Sequence, residues 1–241
     1  MTPVETDRAV LAERARLLAE YRRRESEIDA DRYAPWLPAT AFLRAGRTRL
    51  AAGMLKSAGV FPSAGDACLE VGYGSLGWLG ELIAWGMREQ DLHGIELDEA
   101  RARKARAILP GADLRVGDAT RMPFDDGAFR LIVVSTVFSS ILDDSVRGAA
   151  ASEIIRVMSP GGAMLWYDMT VDNPNNEHVR GLKKEEIRRL FSGLSGSIRS
   201  ATLAPPLVRL LAPRIWWLAQ ALEAIPVLRT HCVAVLSKRS T

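Results

Sequence analysis

The sequence predicts an α/β protein built on a doubly wound, mostly parallel sheet of seven strands. Three observations carry this. From residue 67 onward, short apolar runs alternate with stretches of helical periodicity, the order that gives a parallel sheet covered on both faces. The first apolar run, Ala67, Leu69 and Val71, passes through the glycine turn Gly72-x-Gly74-x-x-Gly77 straight into Leu79, Leu82, Ile83 and Met87 at helical spacing. The next run closes on an acid, Glu96, at the carboxyl end of a strand, where open α/β sheets hold their ligands.

Taken in order, residues 7–27 have helix-forming composition, with Val10, Leu11, Leu17, Leu18 and Tyr21 on one broad stripe. Arg22, Arg23 and Arg24 read as a solvated face balanced by Glu20, Glu25 and Glu27 rather than as an anion site. In residues 32–42, Pro35 and Pro38 exclude regular structure, and Tyr33, Trp36 and Phe42 sit close together. A second helix over 40–58 leads to the linker Phe61-Pro62-Ser63. Strands are then expected at 67–71, 92–96, 113–116, 131–135, 163–167, 197–203 and 231–236, and helices at 76–88, 99–108, 145–158 and 183–191. Residues 205–227 are apolar nearly all round, with Leu210, Leu211, Ile215, Trp216, Trp217, Leu218, Leu222 and Ile225, while Pro213 and Pro226 break them into pieces too short to span a bilayer. Such a segment must be covered: by the sheet as an extra helix, by an apolar acceptor, by a second copy or by a membrane surface.

At 241 residues, 48% of them hydrophobic, the chain can bury one sizeable α/β core. The net charge of +3 is spread along it and implies no nucleic-acid partner. Cys68 and Cys232 stand in apolar contexts, expected as buried reduced thiols, and no metal-ligand spacing occurs. Residues 1–30 are rich in Arg and Glu rather than forming an apolar leader, so a cytoplasmic protein without stable membrane insertion is expected, as monomer or homodimer.

The fingerprint Gly72-x-Gly74-x-x-Gly77 with Glu96 also fits a dinucleotide site. The rest of the chain separates the two. Glu70 stands two places before the first glycine, HGIELDEA ends a strand at Glu96, VGDATRMPFDDGAF runs from Val116 to Phe129, and RVMSPGGAMLWYD follows a helix. Over residues 67–168 these four motifs resemble the class I S-adenosylmethionine-dependent methyltransferases, with departures at Leu76, where many relatives have glycine, and at Arg130, where they commonly have aspartate.

The resemblance implies a Rossmann-like catalytic domain over 63–241, with residues 205–227 as a helical insertion and residues 1–62 folding over the cofactor mouth as a helical cap. Tyr33, Trp36 and Phe42 would then either line the acceptor pocket or seal the domain's edge. The implied cofactor is S-adenosyl-L-methionine. Gly72, Tyr73, Gly74 and Gly77 would form the turn around it, and Glu70 would hold its methionine end directly or by ordering that turn. Glu96 would accept both ribose hydroxyls, Leu97 would pack on adenine, Asp118 would accept from the exocyclic amine and the Ala119 N–H would donate to the ring. Ser135, with Thr136, would face the methionine end and the acceptor.

The fourth strand ends in Val134-Ser135-Thr136-Val137-Phe138 rather than in the Asp- or Asn-Pro-Pro-aromatic motif typical of enzymes that methylate DNA-base amines, which speaks against that class, and the apolar and aromatic flanks point to a small-molecule biosynthetic intermediate of moderate polarity as acceptor. If it is a hydroxyl, O-methylation being the first choice ahead of N- or C-methylation, a base helps. His178 in the polar loop after the fifth strand is the leading candidate, followed by Tyr167 and Asp168 at that strand's end. A nicotinamide oxidoreductase, which lacks an evident Tyr-x-x-x-Lys pair here, and a non-catalytic cofactor-binding module are the alternatives.

Overall fold

The computed structural model describes residues 3–27 and 30–238. Helices α1 (Pro3–Glu27) and α2 (Pro38–Ser57) precede the sheet. Strands and helices then alternate as β1 (Cys68–Val71), α3 (Leu79–Ala84), β2 (Leu92–Glu96), α4 (Glu99–Ile108), β3 (Asp113–Val116), β4 (Phe129–Ser135), α5 (Asp144–Val157), β5 (Met158–Met169), α6 (Lys184–Leu190) and β6 (Leu194–Leu203). Two short helices, α7 (Pro205–Leu211) and α8 (Trp216–Glu223), lead to β7 (Arg229–Lys238).

The seven strands lie in the order β3-β2-β1-β4-β5-β7-β6. Strands β1 to β5 are parallel, and β7 runs antiparallel to both β5 and β6. A strand inserted between the fifth and sixth departs from the 3-2-1-4-5-6 order of dinucleotide-binding sheets. It also fixes where the insertion sits. Because β6 is parallel to β5, its end at Leu203 lies at the same carboxyl edge as the ends of β1 and β4, so α7 and α8 project from that edge.

Two apolar layers cover the sheet, as near-continuous hydrophobic strands require. On one face Tyr73, Trp78, Leu79 and Leu82 pack with Met54 and Leu55 of α2. On the other, Phe138, Trp166 and Phe191 meet with ring centroids 4.8–5.7 Å apart over Ala150 and Ile154 of α5. Full burial of each such side chain contributes about 1.5–3 kcal/mol. Cys68 and Cys232 are buried and free, and burial pushes both thiols up to about 12. Among the described residues no helix is long and apolar enough to cross a membrane, and no cluster of side chains could hold a metal ion.

Three expectations are corrected. Regular structure is not excluded up to residue 42: α2 starts at Pro38, because the first turn of a helix tolerates a proline, whose missing N–H would be unpaired there anyway. Helix α3 starts at Leu79, not 76, because Leu76–Trp78 stay in the glycine turn, and it stops at Ala84 ahead of Gly86, whose φ of +96° cannot continue a helix. The Pro-Gly-Gly after α5 lies within a long β5 as an irregularity: Phe129 pairs with Met158, but two residues on Leu131 already pairs with Ala163. Residues 205–227 break at Pro213 and Pro226 as expected. Their inner side, Val208, Ala212 and Ala219, packs on Phe42 of α2 and Leu203 of β6.

Candidate functional site

A cavity of about 330 Å³ opens at the carboxyl ends of β1 to β4. The glycine turn makes its floor. Gly72, Gly74 and Gly77 all have positive φ, +71°, +58° and +53°. At two of them a side chain has no room: a Cβ on Gly72 would stand 2.6 Å from Val137 Cγ2, and one on Gly77 would stand 2.2 Å from Glu70 Oε1.

Glu70 is why the turn holds that shape. Its carboxylate accepts from the Trp78 N–H at 2.8 and 2.9 Å and from the Leu79 N–H at 2.9 Å, filling the orphan donors at the start of α3. Burial pushes its pKa up, to about 8, against those two amides and the Arg47 charge, which favour the anion. Of the two roles foreseen for Glu70, the geometry supplies the ordering of the turn.

Glu96 is likewise fixed by backbone. Gly74 N–H donates to Oε2 at 2.8 Å and Asp98 N–H to Oε1 at 3.0 Å, leaving a lone pair on each oxygen for a ligand. Asp118 turns only Oδ1 inward, to the Thr120 N–H at 2.8 Å and its hydroxyl at 2.7 Å, so among the described residues Oδ2 accepts nothing. Tyr73 lines the cavity beside the turn, but its hydroxyl donates to the Arg115 carbonyl at 3.2 Å, which makes its side chain structural. Leu97, Ala119 and Ser135 complete the wall, with Thr136 at φ +54° beside them. All ten residues expected to contact the cofactor therefore line one cavity.

The three base candidates do not join them. His178 turns its Nε2 to Glu20 of α1, 3.4 Å away, and stays partly exposed. Tyr167 is buried, its hydroxyl 2.9 Å from Thr202 Oγ1 and its ring stacked on His231 at 5.1 Å; burial raises it to about 12. Asp168 spends both oxygens on the Ser139 and Met169 amides, and burial raises it to about 6. Tyr33 and Trp36 are exposed, and Phe42 is buried edge-on against Trp216, with ring centroids 5.0 Å apart. None of the three aromatics lines the cavity.

Two helices bring groups the motifs did not reveal. Val10, Glu13, Leu17 and Tyr21 of α1 roof the cavity. The roof is clipped down: Glu13 accepts from the Leu142 N–H at 2.6 Å and pairs with Arg16 at 2.7 Å, and Arg16 donates to the Ser140 carbonyl. Burial opposes the Glu13 charge, but these partners hold its pKa below the usual value. Tyr21 lies under the Arg101 guanidinium, 3.9 Å from its ring centroid. From α2, Arg47 reaches in over Trp78 at 4.8 Å and toward Tyr167 at 5.6 Å, and among the described residues its buried Nε has no acceptor. The apolar stripe of α1 contained Leu17 and Tyr21; nothing in the sequence singled out Arg47.

The chain is similar to known methyltransferases. A model of the methyltransferase domain matches residues 68–162. A probable S-adenosylmethionine-dependent methyltransferase of Mycolicibacterium smegmatis is 31% identical over 136 residues, 53% of this chain and 51% of that protein. Demethylmenaquinone methyltransferase of Mycolicibacterium gilvum is 32% identical over 97 residues, 39% of this chain and 40% of that protein. Phthiotriol/phenolphthiotriol dimycocerosates methyltransferase of Mycobacterium tuberculosis is 40% identical over 86, 35% and 30% of the two. The chain thus spans about half or less of the length of these curated relatives. The fold alone is shared with geranyl diphosphate C-methyltransferase of Streptomyces coelicolor, at a TM-score of 0.61 and 17% identity over 84% of this chain and 82% of that one.

Proposed function

We propose that the protein is a class I S-adenosylmethionine-dependent methyltransferase, as the match of residues 68–162 to the methyltransferase domain supports, and that it methylates a small-molecule acceptor bound beneath α1. The observation that carries this is the donor and acceptor set of the cavity. A turn with no Cβ at Gly72 and Gly77, a fixed carboxylate at Glu96 and a free Oδ2 on Asp118 suit an adenosine with a flexible amino-acid tail. When bound, the cofactor supplies a methyl group on a good leaving group, so the protein's task is binding, alignment and exclusion of water.

We assign Glu96 to the ribose hydroxyls, Asp118 and the Ala119 N–H to the adenine edge, and Leu97 to its face. Glu70 keeps the turn in shape. Arg47, a half-buried cation whose buried Nε has no hydrogen-bond partner among the described residues, suits the carboxylate of the methionine end. Tyr21 and Leu17 close the cavity from above and keep water out. We take residues 1–62 as a helical cap over residues 63–241; the support is that α1 lines the cavity from above and that α2 packs on the same sheet.

For the acceptor we favour an acidic hydroxyl, a phenol or enol, methylated on oxygen. The support is the fate of the base candidates: His178, Tyr167 and Asp168 each have another partner outside the cavity, and Glu13 is held ionised by Arg16. An acceptor that loses its own proton near neutral pH needs none of them. The same anion reacts at carbon in an enol, which makes C-methylation the second reading.

Calorimetric titration with S-adenosylmethionine, its demethylated product and a nicotinamide dinucleotide tests the cofactor. Binding of the first two alone is expected; binding of the dinucleotide alone overturns the reading. A screen of phenols and enols by mass then looks for a product heavier by one methyl, with methylated amines only as the outcome that removes the acidic-hydroxyl assignment.

A further inference from the structure

We infer that the corner between α7 and α8 is a docking surface for an anionic phospholipid bilayer, held at the interface by tryptophan and arginine. The corner runs RLLAPRIWW, from Arg209 to Trp217, and every residue from Pro213 to Trp217 is exposed. Leu210 and Trp217 are 61% and 69% exposed, and Ile215 and Trp216 are more than a third exposed. Large apolar groups side by side in water are costly and uncommon unless something covers them. This corner is backed by a firm base, since Val208, Ala212 and Ala219 anchor it on Phe42 and Leu203.

Charge selects the occupant. Arg209 and Arg214 flank the exposed tryptophans and form no ion pair among the described residues. No Asp or Glu occurs from Pro205 to Leu222, and none occurs in α2, which carries Arg44, Arg47, Arg49 and Lys56. Arg44 is neutralised by Glu81 and Arg47 is turned into the cavity; the corner keeps its two arginines. A protein partner could match the apolar part, but an unopposed basic rim around tryptophans is the pattern that settles at an anionic headgroup layer, with indole at the boundary and guanidinium on phosphate.

Position gives the surface a use. The insertion leaves the carboxyl edge of the sheet, the edge on which the cavity opens. Trp216 rests on Phe42, and Phe42 lies five residues before Arg47 on α2, about 7.5 Å along the helix axis. A bilayer seated on the corner therefore stands beside the site, so an apolar acceptor dissolved in it can reach the cavity without crossing bulk water. The docking itself does not depend on the reaction.

The experiment is co-sedimentation of the intact protein with vesicles of phosphatidylcholine alone and of phosphatidylcholine containing phosphatidylglycerol, without cofactor. Binding only to the anionic vesicles, released by high salt, is expected. Replacement of Arg209 and Arg214 by Gln should weaken binding about five-fold for each charge removed, and Trp217→Ser should lower it further while the circular dichroism spectrum stays unchanged. No binding of the unaltered protein, equal binding to neutral vesicles, or binding indifferent to these substitutions overturns the inference. A dimer seen by light scattering that Trp217→Ser dissociates would do the same, by showing that a second copy covers the corner.

Discussion

The Glu70 carboxylate fills the space that a side chain on residue 77 would need, with Oε1 2.2 Å from the position of a Cβ there. A buried acid seven residues upstream is thereby the reason residue 77 must be glycine. Gly77→Ala would have to displace that carboxylate from the Trp78 and Leu79 amides while also holding φ near +53°. Strain of this kind costs about 1–3 kcal/mol. Thermal unfolding should show that loss, and calorimetry should show weaker S-adenosylmethionine binding; an unshifted midpoint would mean the turn has slack the geometry does not show.

Glu96→Ala and Asp118→Ala each remove a carboxylate assigned to the cofactor. Each should weaken its binding by about 1.5–3 kcal/mol, the scale of a hydrogen bond to a charged group. Asp118→Ala also frees the Thr120 N–H, so the Asp118→Asn variant serves as a control that keeps an acceptor there. Unchanged affinity in all folded variants would remove the adenosine assignment.

Arg47→Met tests the carboxylate assignment. Because the buried Nε has no partner, an apolar replacement of similar length should leave stability near its starting value. Affinity for S-adenosylmethionine should fall about ten-fold or more, while affinity for 5′-methylthioadenosine, which lacks the amino-acid tail, should not change. Equal losses for both ligands would place Arg47 elsewhere in the recognition.

His231 should give the protein an acid limit. Burial, reinforced by the nearby Arg47 charge, lowers its pKa from 6.5 to about 4. Between those values the unfolded chain carries a proton the folded one refuses, so stability is intact above about pH 6.5 and falls as pH drops toward 4, by up to about 3 kcal/mol. His231→Phe, which keeps a ring against Tyr167, should flatten that part of the unfolding-versus-pH curve.

His178→Ala should leave cofactor binding untouched and cost less than about 1 kcal/mol of stability, since its pairing with Glu20 is partly exposed. Turnover should persist, with a pH dependence that follows the acceptor's own ionisation. A collapse of turnover with binding intact would return His178 to the role of base.

The half of the cavity built on β1 to β4 was legible because its constraints are local. Glycines at positions of positive φ and carboxylates at strand ends are written next to the elements they serve, and Glu70, Glu96 and Asp118 could be placed without knowing any long-range contact. Arg47, Glu13 and Tyr21 could not. They enter through the docking of two helices on the sheet, a matter of side-chain packing between segments far apart in sequence. The base candidates failed for a related reason. Successive residues on a strand point to opposite faces, so Tyr167 joins one layer beside His231 and Asp168 the other beside Ser139. Being at the right end of the right strand does not bring a side chain to the cavity. Helix α3 began late because the sequence does not show that Glu70 holds the amides of Trp78 and Leu79.

The antiparallel β7 separates the strands that wall the cavity from the one that carries the excursion. Every strand-borne wall of the cavity comes from β1 to β4 or the turns that follow them, whereas the α7–α8 excursion hangs between β6 and β7, two strands that hydrogen-bond to each other on either side of it. Residues can be added to or taken from that excursion while the hairpin stays zipped and the cavity floor keeps its register. Changes in the excursion, including those that alter what its exposed corner can contact, can therefore leave the strands that wall the cavity where they are.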